Sequence, residues 1–394
     1  MIDDLVCFSH LRWDFVFQRP QHLMTRASRT HRVIYVEEPI VGANEELIHE
    51  LRGEILVVKP VLREEVRGLE AEAALGRLMT RLWLEMELHR PTVWYCTPLP
   101  MLWTEPLEAS VVVYDCMDEL QAFRYPPAGL KAAETKLLAR ADVVFTGGRQ
   151  LYDLKSRRHP SVHCFSSGVD REHYAERRSA PEPLDQASIA RPRAGYLGVI
   201  DERIDLDLLD TVARGLPDIQ FVLLGPTAKV DPRSIPQRSN IWRIDAKPYD
   251  ALPDYLHGWS CGLMPFARNR ATRYISPTKT LEYLAAGLPV VSTPIRDVVD
   301  PFGRLGIVDI ATTPRMFADA VRTAVSTTPS RARRDRTERI LRARSWDGIW
   351  RSMIEVLDQV GPGPGDAGRA APEAPAKALS VEAVRSAAGT VRDR

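Results

Sequence analysis

The chain lacks the features that mark secreted and membrane-spanning proteins. Its 394 residues include five cysteines, which are scattered, odd in number and without the spacing of a metal-ligand pair. Such cysteines are typical of buried free thiols in a reducing compartment. No apolar run approaches the roughly 18 residues that a membrane-spanning helix needs, and the first residues do not have the pattern of a signal peptide. We therefore expect a cytoplasmic protein, and peripheral contact with the inner face of a membrane is compatible with this expectation.

An excess of charge of either sign is also missing. The chain has 53 lysines and arginines against 52 acidic residues, and its formal net charge is +1. Basic residues are interleaved with acids, so the sequence has no long basic stripe of the kind that follows a nucleic-acid backbone. The densest basic stretch, at 331–336, reads as the solvated face of a helix. We therefore expect no nucleic-acid partner.

The rest of the composition is that of a soluble globular protein. Hydrophobic residues make up 44% of the chain and charged residues 27%, and the length favours two domains. Short apolar strands alternate with helices in both halves, which predicts an α/β protein with two doubly wound, Rossmann-like domains. The predicted divisions are a first domain at 1–175, a linker at 176–193, a second domain at 194–344, a terminal helix at 345–360 and a disordered tail at 361–394.

One stretch of the second half predicts a capped helix that leads into a short buried strand. Ser276 is a good N-cap, Pro277 suits the first helical position, and Gly287 ends the helix as a C′ residue. The first turn offers free N–H groups, a positive dipole end and Lys279, which together would hold a phosphate. One turn further, Glu282 would accept two hydrogen bonds from a diol such as a ribose. The alternative is an ordinary crossover helix with a solvated lysine and glutamate.

Two loops of the first half follow the ends of predicted strands, where an open α/β sheet binds its ligand. The loop after the first strand is rich in hydrogen-bonding and stacking groups, among them His10, Trp13 and Arg19. These side chains either bind a ligand or acceptor, or pack on their own domain. The other loop carries Asp115 and Asp118. They are candidates for a general base or for binding sugar hydroxyls, with capping of the next helix as the alternative.

Three segments, in the expected order, resemble the GT-B glycosyltransferases, in particular the large retaining group called glycosyltransferase family four. The segment 167–174 is similar to the group's asparagine–glycine–valine–aspartate signature, 196–198 to the first strand of its second domain, and 277–291 to its donor-binding helix. The resemblance extends over residues 1–360. It implies two Rossmann-like domains that face each other across a cleft, with the terminal helix crossing back to the first domain.

The resemblance also implies the substrates and the residues that bind them. A nucleotide-diphosphate sugar would bind to the second domain, and a sugar or lipid-linked acceptor would lie against the first. No bound metal and no separate cofactor are implied, because cations and a helix dipole would stabilise the departing diphosphate. The predicted site residues are Arg203, Ser276, Thr278 and Lys279 for the donor phosphates, Glu282 for the ribose, Asp245 and Lys247 for the base, His10, Trp13, Arg19, Arg273 and Tyr274 for the acceptor or the sugar, and Asp115 and Asp118 for catalysis.

The sequence departs from the family pattern at several of these positions. The first glutamate of the family's pair would fall where this chain has Tyr274, and Asp115 stands where many members carry a histidine. The first loop also lacks the usual pair of glycines. The leading hypothesis is sugar transfer in the synthesis of an envelope polysaccharide or glycolipid, with retention of configuration inherited by analogy. The alternatives are a GT-B epimerase that acts on the nucleotide sugar and a non-catalytic scaffold that binds it.

Overall fold

The first half of the chain forms one largely parallel sheet. The structure is a computed structural model that describes residues 3–175 and 181–360. The nine strands of this sheet are β1 (Asp3–Phe8), β2 (His31–Val36), β3 (Ile40–Gly42), β4 (Glu46–Arg52), β5 (Ile55–Arg63), β6 (Thr92–Tyr95), β7 (Val111–Cys116), β8 (Val143–Thr146) and β9 (Val162–Cys164). Their order is β3-β5-β2-β1-β6-β7-β8-β9, and β4 pairs antiparallel with β5. The helices around this sheet are α1 (Arg19–Ala27), α2 (Gly68–Glu85), α3 (Met101–Thr104), α4 (Leu130–Arg140), α5 (Arg149–Lys155) and α6 (Arg171–Ala175).

The second half forms a separate six-stranded parallel sheet. Its strands are β10 (Arg193–Leu197), β11 (Gln220–Leu224), β12 (Ile241–Ile244), β13 (Cys261–Met264), β14 (Val290–Ser292) and β15 (Val308–Ile310), in the order β12-β11-β10-β13-β14-β15. The helices of this half are α7 (Leu184–Ala187), α8 (Leu206–Gly215), α9 (Leu252–Leu256), α10 (Lys279–Ala285), α11 (Arg296–Val298), α12 (Pro314–Ser326), α13 (Arg331–Arg342) and α14 (Trp346–Val360). Single 3₁₀ turns lie at Leu120–Ala122, Pro232–Ser234, Tyr249–Ala251 and Thr272–Tyr274, and a π-type turn lies at Val299–Gly303.

Helices cover both faces of each sheet, which explains the continuous apolar runs of the central strands. All four residues of β8 and of β13 are buried, as expected for parallel strands between two helical layers. The helix α8 turns Leu208, Leu209 and Val212 towards its sheet, at the spacing of an amphipathic helix. The α/β architecture of two doubly wound domains is therefore confirmed.

The terminal helix α14 crosses back to the first domain. Trp346 and Met353 on this helix belong to the buried core beside β1 and β6. At the start of α14, Asp347 accepts a hydrogen bond from Arg26 of α1 at 3.0 Å. The same arginine bonds Asp170 at 2.5 Å. These contacts fix α14 to the first domain beside the point where the chain leaves it.

The structure differs from the sequence-based expectations in three local respects. The strands β3 and β4 were not predicted, because a short surface ribbon carries little apolar periodicity. The helix α10 begins at Lys279 rather than after Ser276. The predicted linker 176–193 contains the turn of helix α7, and its residues 176–180 and the predicted disordered tail 361–394 lie outside the described residues. None of the described helices has the length and hydropathy needed to cross a bilayer.

Candidate active site

A cavity between the two domains lies at the carboxyl ends of β10, β11 and β12. This is the edge at which open α/β sheets bind their ligands. We call it the first cavity, and residues of both domains line it. Its lining residues are 16–18 and Tyr174 from the first half, and 197–199, Arg203, 224–226, Ala246, Lys247, Tyr249, Leu252, Thr278, Lys279 and Glu282 from the second.

Lys279 supplies a cation to this cavity at the first position of α10. Its side chain lies over Gly198, because a Cβ atom built on that glycine would come within 2.4 Å of Lys279 Cε and 2.6 Å of Nζ. Gly198 also has a φ of +129°, so a side chain is excluded there on two grounds. Burial lowers the pKa of Lys279, and its amine forms no ion pair with any residue that the structure describes. A bound anion would supply the missing partner.

Glu282 lies one turn further along α10 and lines the same cavity. Burial raises the pKa of its carboxyl, and the charge of Lys279 and a hydrogen bond with Thr278 partly oppose this rise. Among the described residues, Glu282 forms no ion pair. Its oxygens therefore keep lone pairs that can accept hydrogen bonds from ligand hydroxyls.

Arg203 stands at the edge of the first cavity, on the loop after β10. Its Nε bonds both oxygens of Asp201 at 3.0 Å, and its Nη2 bonds one of them at 2.6 Å. Burial alone would lower the pKa of Arg203, but these hydrogen bonds outweigh burial and raise it. Asp118 of the first domain faces the same place: burial raises its pKa, and the charges of Arg203 and Lys279 partly oppose the rise.

A second cavity adjoins the first, because Gln18, Val199 and Arg203 line both. We call it the second cavity. Its polar lining residues are His10, Arg12, Gln18, Glu38, Thr97, Asp118, Asp201, Arg203 and Lys229. Its apolar lining residues are Leu11, Phe15, Leu99, Met117, Leu120, Phe123, Tyr125, Pro126, Pro127, Leu130, Val199 and Ala228. Two ligands, one in each cavity, would therefore meet beside Arg203.

Comparison with known sequences finds a related bacterial protein. It is described as "Putative teichuronic acid biosynthesis glycosyltransferase TuaH" from Bacillus subtilis (strain 168), and it is 28% identical to this chain over 228 residues. The match covers 52% of this chain and 55% of that protein, so the chain spans about half the length of the curated relative it matches. No protein-family model matches the chain.

Comparison with solved structures identifies the fold. An Escherichia coli structure, described as trehalose-6-phosphate bound with UDP-2-fluoro glucose, matches with a TM-score of 0.66 and 13% identity, over 91% of this chain and 100% of that one. The sucrose-phosphate synthase of Thermosynechococcus elongatus matches with a TM-score of 0.66 and 12% identity, over 91% and 99% of the two chains. An α,α-trehalose-phosphate synthase (UDP-forming) of Burkholderia vietnamiensis gives 0.65 and 14%, over 91% and 99%. The chain has the GT-B fold.

Within this GT-B structure, several predicted site residues come together. Thr278, Lys279, Glu282, Lys247 and Arg203 all line the first cavity, although they lie on three different loops or helices. Lys247 also bonds Asp185 at 2.7 Å, and this hydrogen bond raises its pKa. The predicted residues His10 and Asp118 line the second cavity with Arg203.

Asp115 and Arg19 lie elsewhere, and their predicted roles need correction. The side chain of Asp115 is fully buried at 0% exposure, and that of Arg19 is 2% exposed. Arg19 Nε donates to both carboxylate oxygens at 3.0 and 2.9 Å, and Nη2 donates at 2.8 Å. Its Nη1 bonds the carbonyl of Phe165 at 2.7 Å. The pair is thus a buried ion pair that joins α1 to β7, and the structure contradicts a catalytic role for Asp115 and an acceptor-binding role for Arg19.

Trp13 and Ser276 also lie outside the first and second cavities. The ring of Trp13 packs edge-on against Tyr35 at 5.0 Å, so the loop's aromatic side chain covers its own domain. Ser276 lies with Asp297 of α11 in the lining of a separate cavity. The residue before α10, Thr278, is its N-cap and accepts hydrogen bonds from the N–H groups of Leu281 and Glu282.

The other three predicted residues are likewise outside the lining of both cavities. Asp245 is exposed on the loop after β12, and its neighbour Ala246 takes the place beside the first cavity. Arg273 is exposed, with its guanidinium 5.5 Å from the ring centre of Tyr274. Tyr274 itself packs against the hydrophobic core of the first domain. The position at which the family has a carboxylate therefore serves here as a contact between domains.

Sequence reasoning missed Thr97 and Glu38, which line the second cavity. Thr97 and Glu38 each stand two residues beyond the end of a strand. The same spacing applies to the predicted residues His10 and Asp118. A search for polar residues at this fixed distance from each predicted strand end would have found all four. No three His, Cys, Asp or Glu side chains within 3–175 and 181–360 are grouped as ligands of a metal ion.

Proposed function

We propose that this protein is a glycosyltransferase that moves a sugar from a nucleotide-diphosphate sugar to a hydroxylated acceptor. The observation that carries the proposal is the meeting of two cavities beside Arg203 and Asp118. Arg203, Lys247 and Lys279 bring positive charge to the first cavity, and the second cavity adjoins it at Arg203. The relative TuaH, named for teichuronic acid biosynthesis, supports a place in the synthesis of an envelope polysaccharide or glycolipid.

The donor would lie in the first cavity with its diphosphate between Lys279 and Arg203. Burial lowers the pKa of Lys279, and its amine forms no ion pair with a described residue, so the diphosphate would provide a directly paired charge. Glu282 would accept hydrogen bonds from the ribose hydroxyls, and the backbone around Ala246 and Lys247 would contact the base. Independence of metal ions is part of the proposal, because two cations are available to stabilise the leaving group.

In the proposed reaction, an acceptor hydroxyl oxygen forms a bond to the anomeric carbon of the donor sugar. The bond between that carbon and the diphosphate oxygen breaks, and the nucleoside diphosphate leaves with the bonding electrons. The hydroxyl proton passes to the departing phosphate or to Asp118, whose raised pKa suits it to hold a proton. Retention of configuration remains part of the proposal by analogy with the fold.

The test is incubation of the purified protein with UDP-, GDP- and dTDP-sugars and candidate acceptors, followed by measurement of nucleoside diphosphate release and product formation. We expect Lys279→Met and Glu282→Gln to lower kcat/KM by about 100-fold or more. Lys136→Met is the matched control, because Lys136 is a surface lysine paired with Glu105. Conversion of the donor sugar without release would instead show an epimerase.

A non-catalytic scaffold is the second candidate, favoured by one observation. Tyr274 occupies the position of a family carboxylate, and its ring packs on the first domain. A scaffold would bind nucleotide sugars tightly through Lys279 and Glu282 without releasing the diphosphate. Calorimetric binding with no turnover for any donor would therefore support the scaffold over the enzyme.

We also propose a cytoplasmic location with peripheral contact with the inner membrane face and a lipid-linked acceptor. The support is the name of the relative TuaH, since the building blocks of exported polymers are assembled on membrane carriers. Flotation of the protein with vesicles of anionic lipid tests this. Failure to float at physiological salt would remove membrane contact from the proposal and leave the transfer reaction untouched.

A further inference from the structure

A row of polar residues lines the second cavity along the edge of the first sheet. Glu38, His10, Thr97 and Asp118 each stand two residues beyond the last residue of β2, β1, β6 and β7. These four strands are neighbours in that order. All four side chains line the second cavity. We call this set the polar row.

Two members of the polar row have buried polar atoms without a partner. Nδ1 of His10 and Oγ1 of Thr97 accept or donate no hydrogen bond to any described residue, and Thr97 is only 2% exposed. Burial, helped by the charge of Lys229, lowers the pKa of His10 to about 4, so its ring is neutral near pH 7. Buried polar atoms in native proteins almost always have partners. This pair therefore indicates a ligand that brings hydroxyl groups to the cavity.

The other two members of the polar row carry carboxyl groups that are not engaged elsewhere. Neither Asp118 nor Glu38 forms an ion pair within the described parts of the chain. Carboxylates accept hydrogen bonds from hydroxyls, so the row suits a ligand with several hydroxyl groups. Neighbouring strands lie about 4.8 Å apart, so a row across four strands spans roughly 14 Å. That span exceeds the length of a single sugar ring.

Aromatic residues complete the second cavity. Phe123 forms part of its wall and is held between two cations, with Arg203 at 5.7 Å and Lys229 Nζ at 5.2 Å from the ring centre. Phe15 and Tyr125 also line the cavity and are exposed to 47% and 72%. Exposed aromatic faces suit the apolar C–H face of a sugar ring that extends beyond the polar row.

We propose that the second cavity binds a saccharide of at least two linked rings as the acceptor. The terminal ring lies at Thr97, His10 and Asp118, with its reacting hydroxyl beside Asp118 and the donor. The next ring lies towards Glu38 and is covered by Phe15 and Tyr125. This inference rests on the proposed function, because it assigns the acceptor of the same reaction.

The experiment compares methyl monosaccharides, methyl disaccharides and octyl monosaccharides of gluco-, galacto- and manno-configuration. We expect the best disaccharide to exceed its monosaccharide at least tenfold in kcat/KM. Tyr125→Ala and Phe15→Ala should remove the advantage of the disaccharide over the monosaccharide. Leu184→Ala is the control, because Leu184 is a 91% exposed side chain outside both cavities. An octyl monosaccharide that equals the disaccharide would overturn the proposal in favour of an apolar aglycone.

Thr97→Val and Thr97→Ser test the polar row directly. The valine variant should lose at least tenfold in kcat/KM for every acceptor while its thermal stability is unchanged or raised, because it removes an unpartnered hydroxyl. The serine variant should recover most of the activity. If the valine variant does not fold, the serine variant and Tyr125→Ala still decide the question. Full activity of a folded Thr97→Val protein would exclude the hydroxyl from acceptor binding.

Direct binding separates this inference from the proposed function. Methyl mono- and disaccharides are titrated onto the full chain saturated with UDP, with ligand-observed NMR as the readout. Disaccharide binding that depends on Thr97 and Tyr125, in a protein without transferase activity, would support the acceptor site and refute the reaction. Transfer without any preference for a second ring would refute the acceptor site and leave the reaction intact.

Discussion

Removal of the Asp115 carboxylate should destabilise the first domain rather than disable the chemistry. Asp115 is 0% exposed and holds the guanidinium of Arg19 through three N–O contacts of 2.8 to 3.0 Å. In Asp115→Ala the guanidinium stays buried without its counter-charge, because it is 2% exposed and has one remaining contact, to a carbonyl. Breaking a buried pair in this way costs about 3–5 kcal/mol.

The magnitude can be measured as a shift in the unfolding transition of the first domain. For a domain of this size, each kcal/mol lowers the melting temperature by about 2–4 °C, so we expect a loss of roughly 6–20 °C. Urea titration and differential scanning calorimetry of Asp115→Ala give the shift. The double variant Arg19→Met/Asp115→Leu is the control: it removes both charges and should recover most of the loss.

The same experiment distinguishes a structural role from a catalytic one. Asp115→Asn keeps the shape of the side chain, and where it remains folded it should keep kcat within a few-fold of the wild type. An Asp115→Asn protein that melts like the wild type and loses more than a hundredfold in kcat would refute the structural reading. It would also return Asp115 to the chemistry that the sequence pattern first suggested.

Three further predictions follow from other contacts. Gly198→Ala would place a methyl group 2.6 Å from Lys279 Nζ, at a residue whose φ is +129°. We therefore expect the KM for the donor to rise at least tenfold in a donor titration. An unchanged KM would argue against the position of Lys279. Tyr283→Phe removes the oxygen that accepts the Leu197 N–H at 2.7 Å and should cost about 1–3 kcal/mol in urea unfolding; a cost near zero would mean that the amide finds another partner. His10 has a pKa of about 4 in the fold against 6.5 unfolded, so its contribution to stability is present above pH 6.5 and lost as the pH falls to 4. His10→Asn should therefore flatten the fall in melting temperature between pH 6.5 and 4, and an equal fall in both proteins would contradict the assignment.

The end of helix α10 could be predicted from the sequence, because the residues that form it are neighbours in the chain. Gly287 was expected at the C′ position, and it has a φ of +78°. Its N–H bonds the carbonyl of Leu284 at 3.0 Å, and the N–H of Leu288 bonds that of Tyr283 at 2.9 Å. This is the Schellman arrangement, which needs a residue that tolerates positive φ. The start of the same helix was predicted after Ser276, whereas the helix begins at Lys279 with Thr278 as its N-cap.

The order of apolar strands and helices determined the class of fold and the division into two sheets. Side-chain periodicity is a property of neighbouring residues, so the sequence carries it without reference to the rest of the molecule. It also singled out Lys279 and Glu282, because residues on the same helix have a fixed geometry relative to each other. These two residues remain together in the first cavity.

Only the tertiary structure decided which acidic residues face a ligand. Asp115 and Asp118 are three positions apart at the end of β7, yet Asp115 is bound to Arg19, 96 residues away in the chain, and Asp118 lines the second cavity. The polar row likewise exists only because β2, β1, β6 and β7 lie side by side in an order different from that of the sequence. The energy of a charged side chain depends on its burial and on the partners that the fold brings to it. The sequence pattern therefore identifies candidate acidic residues, and the packing of the sheet determines which of them face a cavity.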